Sequence, residues 1–228
     1  MTPAIPKWKF WLSYLFEIHI ESRESEINET LHLILSRGRF QLYTENAIYS
    51  FEDLYDNFFQ AFNELNLDLL PKAAEVLILG YGMASIPLML EKKFHRNYRY
   101  TGVDIDEEII DLANQYILPK LDCPQQLIYG DAQSFIFSTT DKYDMIIVDL
   151  FIDDLVPTKF EKTEFLSQVK NQLKPGGIVL YNRLANNEFT INQAELFLSD
   201  IFKPIFPEAH RTIIEDNWII VSDKKYFK

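Results

Sequence analysis

Four short strand-like runs in the middle of the chain, two of them strongly apolar, each ending at glycine or aspartate and followed by a helix-like stretch, restrict the fold more than any other sequence feature. Glu75-Val76-Leu77-Ile78-Leu79 stops at Gly80, Tyr98 to Val103 stops at Asp104, Gln125 to Tyr129 leads into Gly130-Asp131, and Tyr143 to Val148 stops at Asp149. Apolar runs of this length suit strands covered on both faces, and strands alternating with helices build a parallel sheet. Gly177–Asn182 offers a further strand, followed by a helix over Ile191–Phe202. Two late strands, near Arg211–Glu215 and Trp218–Ser222, lie close enough to form a hairpin. The predicted fold is α/β: a doubly wound, mostly parallel Rossmann-like sheet with a terminal antiparallel hairpin.

The chain before these strands follows a different period. Phe16-Glu17-Ile18-His19-Ile20-Glu21 and Leu31-His32-Leu33-Ile34-Leu35 alternate every second residue, and Ser36-Arg37-Gly38-Arg39 separates the latter from Phe40-Gln41-Leu42-Tyr43. Gly38 can take the positive φ that a tight turn requires. These features predict a small N-terminal β appendage over residues 1–49, ahead of a Rossmann-like domain over 50–228. Ser50 and Asp53 have the spacing of a reciprocal helix cap, with Leu54, Phe58, Phe62 and Leu65 on one helical face.

Open α/β sheets bind ligands at the carboxyl ends of their strands. Gly80-Tyr81-Gly82 forms a strand-to-helix turn that lets backbone approach a nucleoside, and Asp104, some 20 residues on, sits where an acid accepts from ribose hydroxyls. Asp131 falls at the same edge, either accepting from an adenine amino group or capping the helix that starts at Ala132. Asp149 ends the next strand. Glycine or carboxylate at each of these strand ends points to a nucleoside site. A dinucleotide reading is disfavoured because Ser85 replaces the last Gly or Ala of that pattern.

A formal net charge of -12 argues against a nucleic-acid partner, which needs clustered Lys and Arg, and is compatible with a cationic small molecule. Glu17 and Glu21 interrupt the apolar run after Trp8, so neither a membrane span nor a signal helix is expected. Cys123, the only cysteine, can form no intrachain disulfide; a cytoplasmic location is the expectation. His19, His32, His95 and His210 have no metal-ligand spacing, so no metal is expected. Exposed aromatics and open strand edges in the appendage are compatible with a homodimer.

The stretches Val76–Gly82, Val103–Asp106, Gly130-Asp131 and Ile146–Asp149, with the β-rich start, resemble the spermidine synthase family over roughly residues 15 to 185. The resemblance implies that Asp104 holds ribose and Asp131 the adenine end, while Asp149 orients or deprotonates an attacking amine that Tyr55 helps to frame. The set implied to contact the nucleoside is Gly80, Tyr81, Gly82, Asp104, Ile105, Asp131, Ala132 and Asp149. The catalytic set is Asp149, Tyr55 and Asp153, the last bordering the acceptor with Asp154. The implied donor is S-adenosylmethionine or its decarboxylated form, with a polyamine as acceptor.

Two departures stand out. Met83 occupies the place of an acid in the family's glycine loop, and Ile152 that of a second aspartate three positions after Asp149. They keep two alternatives open: a methyltransferase using S-adenosylmethionine, and a non-catalytic nucleoside-binding or interaction protein of the same fold.

Overall fold

The computed structural model describes residues 5–44, 48–151 and 156–228. A short helix, α1 (Lys7–Leu12), precedes an antiparallel sheet of β1 (Ile18–Ser25), β2 (Glu29–Ser36), β3 (Arg39–Tyr43) and β4 (Ile48–Ser50), paired in that order. The period-two pattern explains its orientation, because Leu31, Leu33 and Leu35 of β2 and Phe40 and Leu42 of β3 all turn into the core. Arg37 and Gly38 link β2 to β3 with φ of 51° and 72°, the conformation of a two-residue hairpin turn. A side chain at position 38 would also meet the Tyr14 hydroxyl at 2.8 Å.

The second sheet contains β5 (Glu75–Leu79), β6 (Arg99–Asp104), β7 (Gln125–Tyr129), β8 (Tyr143–Val148), β9 (Leu173–Leu184), β10 (His210–Ile214) and β11 (Asn217–Val221). Its order is β10-β11-β9-β8-β5-β6-β7, with β5 through β9 mutually parallel and β11 antiparallel to both β9 and β10. The helices crossing its faces include α2 (Asp56–Glu64), α3 (Ser85–Lys92), α4 (Glu107–Leu112), α5 (Ala132–Ser138), α6 (Thr163–Asn171) and α7 (Glu188–Leu196). Val76, Ile78, Met145 and Ile147 pack on one face with Phe58 and Phe62 of α2 and with the leucines of β2; Leu77, Leu79, Ile146 and Val148 pack on the other with Phe165 and Val169 of α6. Alternate residues of one strand thus feed two cores, and the N-terminal sheet shares the first. No helix among the described residues is long and apolar enough to cross a membrane.

One expected element is differently built. Ser50 does not cap a helix: it ends β4, and its hydroxyl lies 2.5 Å from that of Ser85. Helix α2 starts only at Asp56, after a single 3₁₀ turn over Glu52–Leu54. Asp53, the acid of the expected cap, and its neighbour Glu52 are buried and find cations instead. Glu52 accepts from the Phe40 amide and from Lys120, both at 2.7 Å, and Asp53 pairs with Arg39 and Lys93. Burial opposes the Asp53 charge, but those two cations hold its carboxyl below the usual range.

A second tie joins the sheets at the β1–β2 hairpin. Asp106, 2% exposed, accepts from the Ser25 hydroxyl and from Asn28 Nδ2 at 2.7 Å, while its other oxygen caps α4 through the Glu108 amide at 3.0 Å. Tyr49 donates to Asn28 Oδ1 at 2.8 Å, so the hairpin tip is fixed from two directions. Asp106→Ala would leave buried donors unpaired and remove a helix cap. Chemical denaturation should show a loss of about 2–3 kcal/mol, and a loss below about 0.5 kcal/mol would mean that this tie does not hold the sheets together.

Candidate active site

A cavity of about 410 Å³ opens at the carboxyl ends of β5, β6, β7 and β8. β5 is paired with β6 on one side and β8 on the other, so the chain reverses its direction of travel there and leaves a crevice. The hairpin tip contributes Ile27 and Asn28 to the opposite wall.

The glycine turn is shaped by two close approaches. Gly80 has φ +82°, and a Cβ there would lie 2.0 Å from the Asp149 carbonyl, so only glycine lets the ends of β5 and β8 run side by side. Gly82, at φ +56°, donates its amide to Asp104 Oδ2 at 2.9 Å. The Asp106 amide reaches the other oxygen of Asp104 at 3.1 Å. Burial pushes the Asp104 carboxyl up to about 6; the backbone amides that donate to it lower it by less, and the charge of neighbouring Asp106 raises it further. Gly80, Gly82, Asp104, Ile105, Asp131 and Ala132 all line the cavity.

Tyr81 does not. It is 3% exposed, its ring lies over Gly102 where any Cβ would collide, and its hydroxyl donates to Gln125 Oε1 at 2.6 Å. The Tyr81 side chain therefore belongs to the core and is not part of the cavity wall, so what this residue offers a ligand is its place in the glycine turn. Met83 is also buried, at 1% exposure, and lies outside the cavity wall.

Asp149 stands at the bottom of the crevice. Asn182 Nδ2 donates to Oδ1 at 2.8 Å and the Tyr55 hydroxyl to Oδ2 at 3.2 Å. Burial raises this carboxyl to about 6; the two donors lower it and the charge of Asp104 raises it further. A carboxylate poised there can take a proton near neutral pH. Tyr55 is in turn driven well above its ordinary value by burial and by Asp149, so it stays a donor. Structure thus brings Asp149 and Tyr55 together. Asp153, with Ile152 and Asp154, lies outside the described residues.

Asp131 serves the second of the two purposes read from sequence. Its Oδ1 caps α5 by accepting from the Ser134 amide at 2.9 Å, and Oδ2 faces Lys159 Nζ at 2.5 Å within the cavity wall. Burial opposes its charge, but Lys159 and the Ser134 amide keep this carboxyl below the usual range.

Asn182 and Lys159 are functional candidates that sequence reasoning missed. Asn182, 1% exposed, ends the apolar run of β9 at the ligand edge; its Oδ1 is buried without a hydrogen-bond partner and the residue lines the cavity. A polar residue closing an apolar strand at that edge was the available signal. Lys159 had none, because the preceding segment has no periodic pattern. Among the described residues, no cluster of three or more His, Cys, Asp or Glu is arranged to hold a metal.

Comparison with known proteins agrees with this geometry. The model of the spermine/spermidine synthase domain matches residues 61–225. A probable polyamine aminopropyl transferase from Bifidobacterium longum is 34% identical over 140 residues, covering 60% of this chain and 30% of the relative. A polyamine aminopropyltransferase from Vibrio vulnificus is 25% identical over 132 residues, covering 57% of this chain and 44% of the relative. The chain therefore spans less than half the length of these two relatives.

In fold, a probable spermidine synthase from Corynebacterium glutamicum superposes with a TM-score of 0.68 at 18% identity, covering 89% of this chain and 78% of that one. Human methyltransferase-like protein 13, in complex with SAH, gives 0.60 at 22% identity, covering 73% and 81%. Those likenesses concern architecture. The family match is what runs through the glycine turn, the acid-tipped strands and the terminal hairpin together, and on that basis the chain belongs to the spermine/spermidine synthase family.

Proposed function

We propose that the chain transfers an aminopropyl group from decarboxylated S-adenosylmethionine to an amine. The observation that carries this reading is Asp149, held between Tyr55 and Asn182 with its carboxyl near 6, in a cavity that Asp104 also lines. Asp104 would accept from the ribose hydroxyls. The acceptor nitrogen would donate to Asp149 and to the unpartnered Oδ1 of Asn182, which fixes the direction of its lone pair. That lone pair attacks the aminopropyl carbon next to sulfur, a C–N bond forms as the C–S bond breaks, and the bonding pair stays on sulfur as neutral methylthioadenosine. The proton released from nitrogen passes to Asp149. A sulfonium is already a good leaving group, so alignment and deprotonation are what the protein must supply.

Methyl transfer from S-adenosylmethionine is the second reading. One observation favours it: Met83, in place of an acid, is turned into the core, and Asp104, Asp131 and Asp149 are the carboxylates among the described residues lining the cavity. Calorimetric titration with methylthioadenosine, S-adenosylmethionine and decarboxylated S-adenosylmethionine, followed by assay of methylthioadenosine release with a series of amines, separates the two. Preference for the decarboxylated donor with release of methylthioadenosine supports aminopropyl transfer. Preference for S-adenosylmethionine with a methylated product overturns it, and absence of binding removes the nucleoside reading altogether.

Self-association is proposed on a separate observation. Trp8 is 60% exposed and Trp11 79%, and Tyr14, Leu15 and Phe16 are exposed beside them, next to the open edge of β1. Aromatic side chains of ~150–250 Å² each make this segment comparable to one side of a standard interface of roughly 800 Å². Sedimentation should show a dimer that Trp8→Ser with Trp11→Ser dissociates; a monomeric parent chain at micromolar concentration would refute it.

A further inference from the structure

The nucleoside end of the cavity contains a cation that the proposed reaction does not use. Lys159 lies just after the loop that follows β8, with its Nζ 2.5 Å from Asp131 Oδ2 and 4.8 Å from the centre of the Phe160 ring. Lys159, Asp131, Phe160, Gly130 and Ala132 line the same part of the wall. Because Asp131 Oδ1 is committed to the N-terminus of α5, the oxygen left for a ligand is Oδ2, with the ammonium beside it. An ammonium has three donors, and the contact with Asp131 takes one. The wall therefore presents a donor and an acceptor side by side.

Adenine carries the complementary pair: a ring nitrogen that accepts, adjacent to an exocyclic amine that donates. We propose that Lys159 is a base-reading residue, donating to a ring nitrogen of adenine while Asp131 Oδ2 accepts from the exocyclic amine. This rests on the nucleoside reading of the cavity and adds a specificity to it.

The test is calorimetric titration of the full chain, Lys159→Met and Lys159→Arg with methylthioadenosine and its 1-deaza and 7-deaza analogues. A charged hydrogen bond corresponds to roughly 10- to 100-fold in affinity. Lys159→Met should weaken methylthioadenosine by that factor in a chain that still melts cooperatively, with only the small loss of stability expected for a partly exposed ion pair, and Lys159→Arg should recover part of the affinity. One deaza analogue should bind the parent chain more weakly by a similar factor and lose nothing further in Lys159→Met. The proposal is overturned if Lys159→Met binds methylthioadenosine within about two-fold of the parent, or if both deaza analogues bind the parent as methylthioadenosine does. A parent chain that binds no nucleoside would instead sink the reading of the cavity itself, a result distinguishable from failure at Lys159.

Discussion

Asp149→Asn should still bind the donor nucleoside yet turn over roughly 10²- to 10⁴-fold more slowly, the range expected when a general base is removed. The substituted side chain still occupies the space between Tyr55 and Asn182, but it cannot accept the proton that the attacking nitrogen must shed. The pH profile carries the same signature. With the carboxyl near 6, the base is lost as pH falls below about 6, and kcat/KM should decline there; because Asp104 sits near the same value and raises Asp149, the limb belongs to the pair. Stability moves in the opposite sense. A carboxyl raised above its ordinary value holds a proton in the folded chain that the unfolded chain has lost, so its stabilising contribution is complete below about 4 and disappears as pH rises through about 6. Above pH 6, Asp149→Asn should therefore melt higher than the parent chain, by on the order of 1 kcal/mol, while being the slower enzyme. Loss of donor binding equal to the loss of rate would show that Asp149 holds the ligand and does not act in the chemical step.

Asp104→Ala should divide these effects the other way. Its carboxylate is oriented by the Gly82 and Asp106 amides, so removing it takes away the ribose acceptor and the anchor of the glycine turn at once. Two charge-assisted hydrogen bonds to a diol correspond to roughly 10²- to 10³-fold in donor affinity. Isothermal titration should show that loss, whereas turnover at saturating donor should fall much less than in Asp149→Asn. Equal donor affinity in Asp104→Ala and the parent chain would place the ribose elsewhere.

The positions of the acids are legible in the sequence because they rest on local rules. A short strand-like run sets each strand, a glycine or aspartate ends it, and the sheet gathers those ends on one edge, which is how Asp104, Asp131 and Asp149 come to line one cavity. What escaped was set by distant partners. Tyr81 follows the same glycine turn but is drawn into the core because Gly102, on the neighbouring strand, has no Cβ to exclude it. Ser50 and Asp53 have the spacing of a helix cap, yet Ser85, Arg39 and Lys93 claim their side chains from other elements. Asn182 belongs to the site only because β9 runs parallel beside β8 and brings its amide to the end of that strand, a pairing that no short spacing encodes.

The shared walls of the cavity also bear on how the chain comes apart. Asn28 and Tyr55 belong to the N-terminal sheet and the segment just after it, while Asp104 and Asp149 belong to the larger sheet, and one apolar core runs beneath both. A ligand at a hundred times its dissociation constant adds about 2.7 kcal/mol to whatever must be disrupted to release it. Here that means both sheets, so heating should show one cooperative transition that the nucleoside shifts as a unit, with amides of β2 and of β8 gaining equal protection from hydrogen exchange.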